Sequence, residues 1–206
     1  MPVPSSPDRD HVSSYLRQWE NLENYQLQEK SLSLLFGKLC PSNSTLEQIL
    51  LKVSSLNDFY STNIYDTYTV ARHIRDMNIE TRLGSGDLSL VKDMAMVKIG
   101  DKTRNLYSFA SKYCSHHYPD RYPIYDSYVD KMLWHYSGAD KFASFRRREL
   151  KHYEKFVEII AKFQRYYKLD QFSLRQIDIF LWRAGKESFP NSYPSGKNGT
   201  KSNVTN

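Results

Sequence analysis

From Ser13 to Ala184 the apolar residues return every three or four positions, and no stretch settles into the alternation that a strand pair needs. Tyr15, Trp19, Leu22, Tyr25, Leu32, Leu35 and Phe36 predict one long helix over 13–36, closed by Gly37. Ser44 followed by Glu47 predicts a capping box for a helix to about Ser55, and another is expected from Ile64 or Tyr65 to Met77. Gly84-Ser-Gly86 predicts a break, after which Asp87 caps a helix carrying Leu88, Leu90, Val91, Met94 and Val97. Lys98 to Asn105 is expected as a short polar turn before a helix from Leu106. A helix over 126–137 ended by Ser137-Gly138, one long helix over 144–167, and a last helix from Ser173 to Ala184 with Gly185 just past its end complete the reading. The fold class is all-α. Residues 1–12, with three prolines, are expected as a flexible N-terminus, 13–188 as a single helical domain of two lobes, and 189–206 as a disordered tail.

Charge is unevenly placed along the chain. Residues 1–97 hold 9 Lys/Arg against 12 Asp/Glu, whereas residues 98–206 hold 20 against 11. That polarity suits a protein that lays one side against a polyanion, although a merely soluble basic protein has the same composition. No run approaches the ~20 apolar residues of a membrane span, so no membrane partner is expected. Cys40 and Cys114 make no disulfide framework, and a cytoplasmic, nucleoid-associated location is the expectation. Cys114, His116 and His117 lack a second group at ligand spacing, so no metal and no cofactor are expected.

The most informative stretch is Arg121 to Trp134. Pro123 keeps Tyr122 out of the helical region, and Val129, Met132 and Leu133 recur behind Asp126 at helical spacing. Asp126 therefore stands at a helix N-terminus. Residue types alone leave two readings open: an N-cap tied to its own helix, or a carboxylate aimed outward from a rigid support.

The segment Tyr122-Pro-Ile-Tyr-Asp-Ser-Tyr-Val-Asp-Lys-Met-Leu133 resembles the region around the catalytic aspartate of helix-hairpin-helix (HhH-GPD) DNA glycosylases, most closely the adenine-glycosylase form. Ser108-Phe-Ala-Ser-Lys-Tyr is similar to that family's small-residue helix after the hairpin. Weaker likenesses at Leu51–Thr62 and Gln176–Gly185 extend the resemblance over about residues 45–187. It implies a helical glycosylase-like fold with a divergent helix-hairpin-helix. The implied activity is excision of one damaged, mispaired or modified base by hydrolysis of its N-glycosidic bond, in base excision repair or in antiviral defence. Oxidised guanine, mispaired adenine and bulky modified phage pyrimidines all stay open as substrates. The implied partner is double-stranded DNA with a flipped base, bound by a monomer.

Asp126 is then the carboxylate that meets the cationic sugar. Bifunctional relatives add a lysine nucleophile on the preceding helix. Ungapped alignment puts its counterpart at Ser108, which implies a monofunctional enzyme using water, while Lys112 shares the same helix face at i, i+4. Where the family has a Gly-x-Gly turn, this chain has Gly100 alone. Lys98, Gly100, Lys102, Thr103 and Arg104 are its candidates for phosphate contact, or else an ordinary solvated turn. Asn57 matches the end of the early helix that meets DNA. Arg146, Arg147, Arg148 and Lys151 read either as phosphate contacts or as the wet face of a helix. Tyr122 and Tyr125 are base-pocket candidates, with core packing as the other reading. From another class, a non-catalytic DNA-binding module on the same scaffold remains the alternative, and a helical protein-interaction domain a third.

Overall fold

The computed structural model describes residues 4–190. Among them the chain forms ten α-helices and a single two-stranded hairpin, a predominantly helical architecture. One cluster of buried apolar side chains runs from Val12 to Ala184. No helix among these residues is long and apolar enough to cross a membrane.

The start of the chain is ordered sooner than expected. Helix α1 spans Arg9–Glu20, capped by Asp8, whose carboxylate accepts from the His11 N–H at 2.7 Å. The prolines all precede that cap and so remove no helical hydrogen bond. Val12 is wholly buried. The helix predicted over 13–36 is two helices, because α1 closes at Asn21 and α2 begins at Glu23 (Glu23–Leu34). Six positions apart on one continuous helix, Trp19 and Tyr25 would face different ways. The break lets both pack on Trp182, with ring centroids 5.8 and 5.2 Å away.

Helix α3 (Leu46–Tyr60) is capped by Thr45 rather than Ser44 and runs past Ser55. Helix α4 (Thr67–Asp76) takes Asp66 as its cap. Helix α5 (Glu80–Ser85) occupies part of the expected break, and only Gly86, at φ 77°, ends it. Helix α6 (Ser89–Ala95) follows, with the Asp87 carboxylate accepting from the Ser89 N–H at 3.0 Å.

One strand pair interrupts the otherwise helical order of the described residues. Strands β1 (Met96–Ile99) and β2 (Lys102–Asn105) pair antiparallel, closing at Ile99 and Lys102 around Gly100-Asp101. Gly100 sits at φ 58°, the left-handed value that the first loop residue of a tight hairpin requires. The pattern escaped periodicity because β2 buries nothing and β1 buries only Val97. A β-hairpin therefore stands where a short polar turn between two helices was expected.

Helix α7 (Tyr107–His117) is buried on nearly every side, from Phe109 through Ser115. A helix covered all round lies at the centre of a fold. Helix α8 (Ser127–Asp140) passes through Ser137-Gly138 and stops at Lys141, whose φ is 54°. The helix predicted over 144–167 is a 3₁₀ turn at Arg147–Lys151 followed by α9 (Tyr153–Tyr166), with extended His152 between them. Helix α10 (Leu174–Ser188) is capped by Ser173 and runs past Gly185. A Cβ placed on Gly185 would lie 2.8 Å from the Tyr128 Cβ, so this glycine sets the closeness of α10 to α8. Phe189, read as the start of the tail, packs against His135. The tail from 191 onward lies outside the described residues.

Candidate active site

The loop between α7 and α8 is held from inside. Ser108 Oγ donates to the Tyr125 carbonyl at 3.0 Å, and Ser111 Oγ accepts from the Tyr125 N–H at 3.1 Å. Tyr153 Oη donates to the Pro123 carbonyl at 2.7 Å. These bonds fix the backbone immediately before Asp126. Both readings of that residue then coexist. Asp126 Oδ1 accepts from the Tyr128 N–H at 2.8 Å as an N-cap, while Oδ2 stands 3.6 Å from Lys112 Nζ.

Lys112 and Asp126 share the wall of a cavity of about 600 Å³. Its other walls come from distant parts of the chain: Trp19, Tyr25 and Glu29 from α1 and α2, Tyr60 from the end of α3, and Arg175, Asp178, Trp182 and Lys186 from α10. The Lys112 side chain is 4% exposed and that of Asp126 is 22% exposed. Burial pushes the Lys112 ammonium below its usual range, with the Asp126 charge opposing the shift. The result is a lysine biased toward the free amine beside a carboxylate that reaches solvent. Lys112 Nζ also donates to Ser108 Oγ and lies 5.1 Å from the Tyr60 ring centroid. Ser108, the residue in the ungapped register, holds the lysine and the loop and is absent from the cavity wall.

In the same cavity, Arg175 makes four hydrogen bonds. It makes a two-pronged bond to Glu29, donates to Asp178 Oδ2 at 2.6 Å, and reaches the Tyr60 hydroxyl at 3.3 Å. Asp178 is 8% exposed, and its Oδ1 has no partner. Burial raises the Asp178 carboxyl to about 7, with Arg175 opposing and Asp126 reinforcing. The sequence offered one signal for this residue: a single acid inside the apolar run Ile177-Asp-Ile-Phe-Leu181. Tyr60 stands at the polar end of the early helix that the resemblance marks, whereas Glu29, Arg175 and the aromatic group carried no signal.

Other predicted residues fall elsewhere. Tyr122 is wholly buried, its hydroxyl donating to the Leu83 carbonyl at 3.2 Å. Tyr125 is 9% exposed, its ring tilted against Tyr107 at 4.6 Å between centroids and its hydroxyl donating to Asp130 Oδ2 at 3.0 Å. Both are core residues, because the turn at Pro123 points its aromatics inward rather than into the cavity. The Asn57 side chain is bonded within the protein. Its amide oxygen accepts from the Ile64 N–H at 2.8 Å and the Thr62 hydroxyl at 2.9 Å, and its Nδ2 donates to the Ile64 carbonyl at 3.0 Å. Asn57→Ala is expected to lower stability by about 1–3 kcal/mol, since it strands the Ile64 amide. Thermal unfolding measures this, and an unchanged midpoint would refute it.

Lys98, Gly100, Lys102, Thr103 and Arg104 are exposed on the hairpin, and none lines the cavity. Arg146, Arg148 and Lys155, with Glu149 and His152, form a separate shallow hollow, and Lys151 is exposed beside it. Arg147 is spent inward, donating to Asp130 Oδ1 at 2.7 Å.

Comparison with known proteins gives the chain its kin. The family model described as "HI_0787_N: N-terminal domain" matches residues 11–121. That range includes Lys112 and stops short of Asp126. An "Uncharacterized protein" of Haemophilus influenzae (strain ATCC 51907 / DSM 11121 / KW20 / Rd) is 45% identical over 148 residues, 71% of each chain. No solved structure matches. With more than half of its length covered by the model, the chain belongs to the HI_0787_N family.

Proposed function

We propose that the protein is a DNA glycosylase in which Asp126 stabilises the cationic deoxyribose as the N-glycosidic bond breaks. The reading rests on one observation, the Lys112 amine and the Asp126 carboxylate 3.6 Å apart in the wall of a single cavity. A carboxylate presented by a helix N-terminus cannot easily move, which is what stabilising transient charge requires. The order α6, hairpin, α7, proline loop, α8 supports the reading, with a β-hairpin standing where relatives of that kind carry a glycine turn. Exposed cations on that hairpin and in the Arg146–Lys155 hollow are available to the phosphates of a bound duplex.

The Ser108 register implied water as the nucleophile; the place of Lys112 in the cavity wall beside Asp126 supports its amine instead. A desolvated amine at C1′ would form a Schiff base and make the enzyme bifunctional. The test is a screen for abasic sites on duplexes carrying oxidised guanine, on mispaired adenine, and on modified phage DNA. Asp126→Asn serves as the control because asparagine caps a helix about as well as aspartate, leaving stability nearly intact. Base release that Asp126→Asn reduces roughly a hundredfold or more is expected. Duplex binding with no base release from any substrate would leave the non-catalytic DNA-binding module in its place.

A further inference from the structure

One end of the cavity is aromatic, and the excision step makes no use of it. Arg175, Asp178, Ile179, Trp182 and Lys186 line the cavity from α10 and share one helix face. At 1.5 Å per residue they span about 16 Å. Lys112 belongs to the Arg175 end, because the Tyr60 ring 5.1 Å from its Nζ carries the hydroxyl that Arg175 reaches at 3.3 Å. Trp182 follows Asp178 by one turn, about 6 Å, and Lys186 follows Trp182 by another. There the Trp182 ring stands at 89° to Trp19 and 68° to Tyr25, and all three rings are only partly buried.

Lys186 completes this end. Its Nζ donates to Tyr25 Oη at 2.9 Å and lies 5.2 Å from the Tyr25 ring centroid and 4.9 Å from that of Trp182. An ammonium has three donors, yet the one hydrogen bond of Lys186 among the described residues goes to that neutral hydroxyl. No carboxylate of the described residues pairs with it, whereas Arg175 at the other end has two. The charge of Lys186 is unspent, and it stands beside aromatic rings.

We propose that this end is a subsite for a second, unstacked base of the same DNA strand, stacked on Trp182, with the Lys186 ammonium on the phosphate that joins the two nucleotides. This rests on the DNA reading above and deepens it: the preferred partner is a strand open over two nucleotides rather than a fully paired duplex. A cavity of about 600 Å³ is of the size that takes drug-sized ligands, more than a single nucleobase fills. Stacked neighbours along one strand are about 3.4 Å apart. The step from Asp178 to Trp182 is longer, so a base lying on Trp182 has left the stack. Aromatic faces beside a cation hold single strands in this way, because every base has a π-face and every linkage a charge.

The test titrates the full chain with a short oligothymidylate and with a blunt, fully paired duplex of equal length, across a range of salt. Intrinsic tryptophan emission gives the readout, since two of the three tryptophans, Trp19 and Trp182, line this end. The single strand is expected to quench that emission and to bind more tightly than the duplex. Trp182→Ala should weaken single-strand binding about 5- to 150-fold, and Trp182→Phe, which keeps an aromatic face, should restore most of it. Lys186→Gln should lower the slope of log affinity against log salt by about 0.7, the share of one phosphate on a single strand. Equal binding of strand and duplex would overturn the inference, as would unchanged affinity in Trp182→Ala. Failure of Trp182→Phe to restore binding would make the loss a packing defect, with the same consequence. Should Trp182→Ala bind the strand normally and lose only the release of bases with large substituents, this end holds the substituent; the inference falls and the glycosylase reading stands. Wild type that binds neither strand nor duplex would overturn both.

Discussion

Lys112→Gln is expected to abolish covalent trapping of the protein on substrate DNA by borohydride. Glutamine has nearly the length of the lysine side chain and fills most of its space, yet it cannot form an imine. The wild-type amine is 4% exposed, held by Ser108 Oγ and biased toward its neutral form by burial. Only a neutral amine attacks C1′, so the trapped yield should rise with pH as the remaining ammonium deprotonates. Loss of the nucleophile should reduce strand cleavage at the product site by about 10²-fold or more. Should Lys112→Gln still be trapped in full, another lysine is the nucleophile. If wild type releases base but is never trapped, water attacks and the register through Ser108 describes the chemistry better.

The second large effect is structural. Gly185→Ala is expected to destabilise the fold by about 2 kcal/mol or more, which at this chain length lowers the unfolding midpoint by several degrees. Two effects oppose each other here. Alanine in a helix interior is favoured over glycine by about 1 kcal/mol, so with room to spare the substitution would stabilise. There is no room. The new methyl would meet the Tyr128 Cβ at 2.8 Å, the Tyr128 carbonyl oxygen at 2.9 Å and Met132 Cγ at 3.0 Å. Two of these neighbours are backbone or next to it and cannot rotate away, so the clash should outweigh the propensity gain. The strain falls on the first turn of α8, one turn from Asp126, and base release should weaken with stability. A midpoint that rises in Gly185→Ala would show that α8 and α10 can part without cost.

Stability and chemistry meet at the N-cap in the same way. Asp126→Ala should cost about 1 kcal/mol through loss of the bond to the Tyr128 amide, beyond any effect on activity, whereas Asp126→Asn should not. Comparing the two variants by thermal unfolding divides the capping role of the residue from its chemical one.

The three- and four-residue spacing determined that this chain is predominantly helical, and Pro123 with the run behind it determined that Asp126 begins a helix. Both are local facts, set by backbone geometry and by which side chains share a helix face. Breaks inside a continuous pattern stayed hidden, as at Asn21-Leu22 and His152, because the residues on either side keep the helical period while the chain turns between them. The hairpin stayed hidden for the opposite reason, since exposed strands bury too little to leave an alternation. Lys112 could be singled out, but its approach to Asp126 depends on the direction of α7 against the loop that Ser108 and Ser111 tie down. Most of the far wall of the cavity was beyond local rules, Asp178 in its apolar run and Tyr60 at its helix end excepted. Glu29, Tyr60, Arg175 and Asp178 are separated by up to about 150 positions, and only the packing of α2, α3 and α10 brings them to one place, where burial, a property of the whole fold, raises the Asp178 carboxyl.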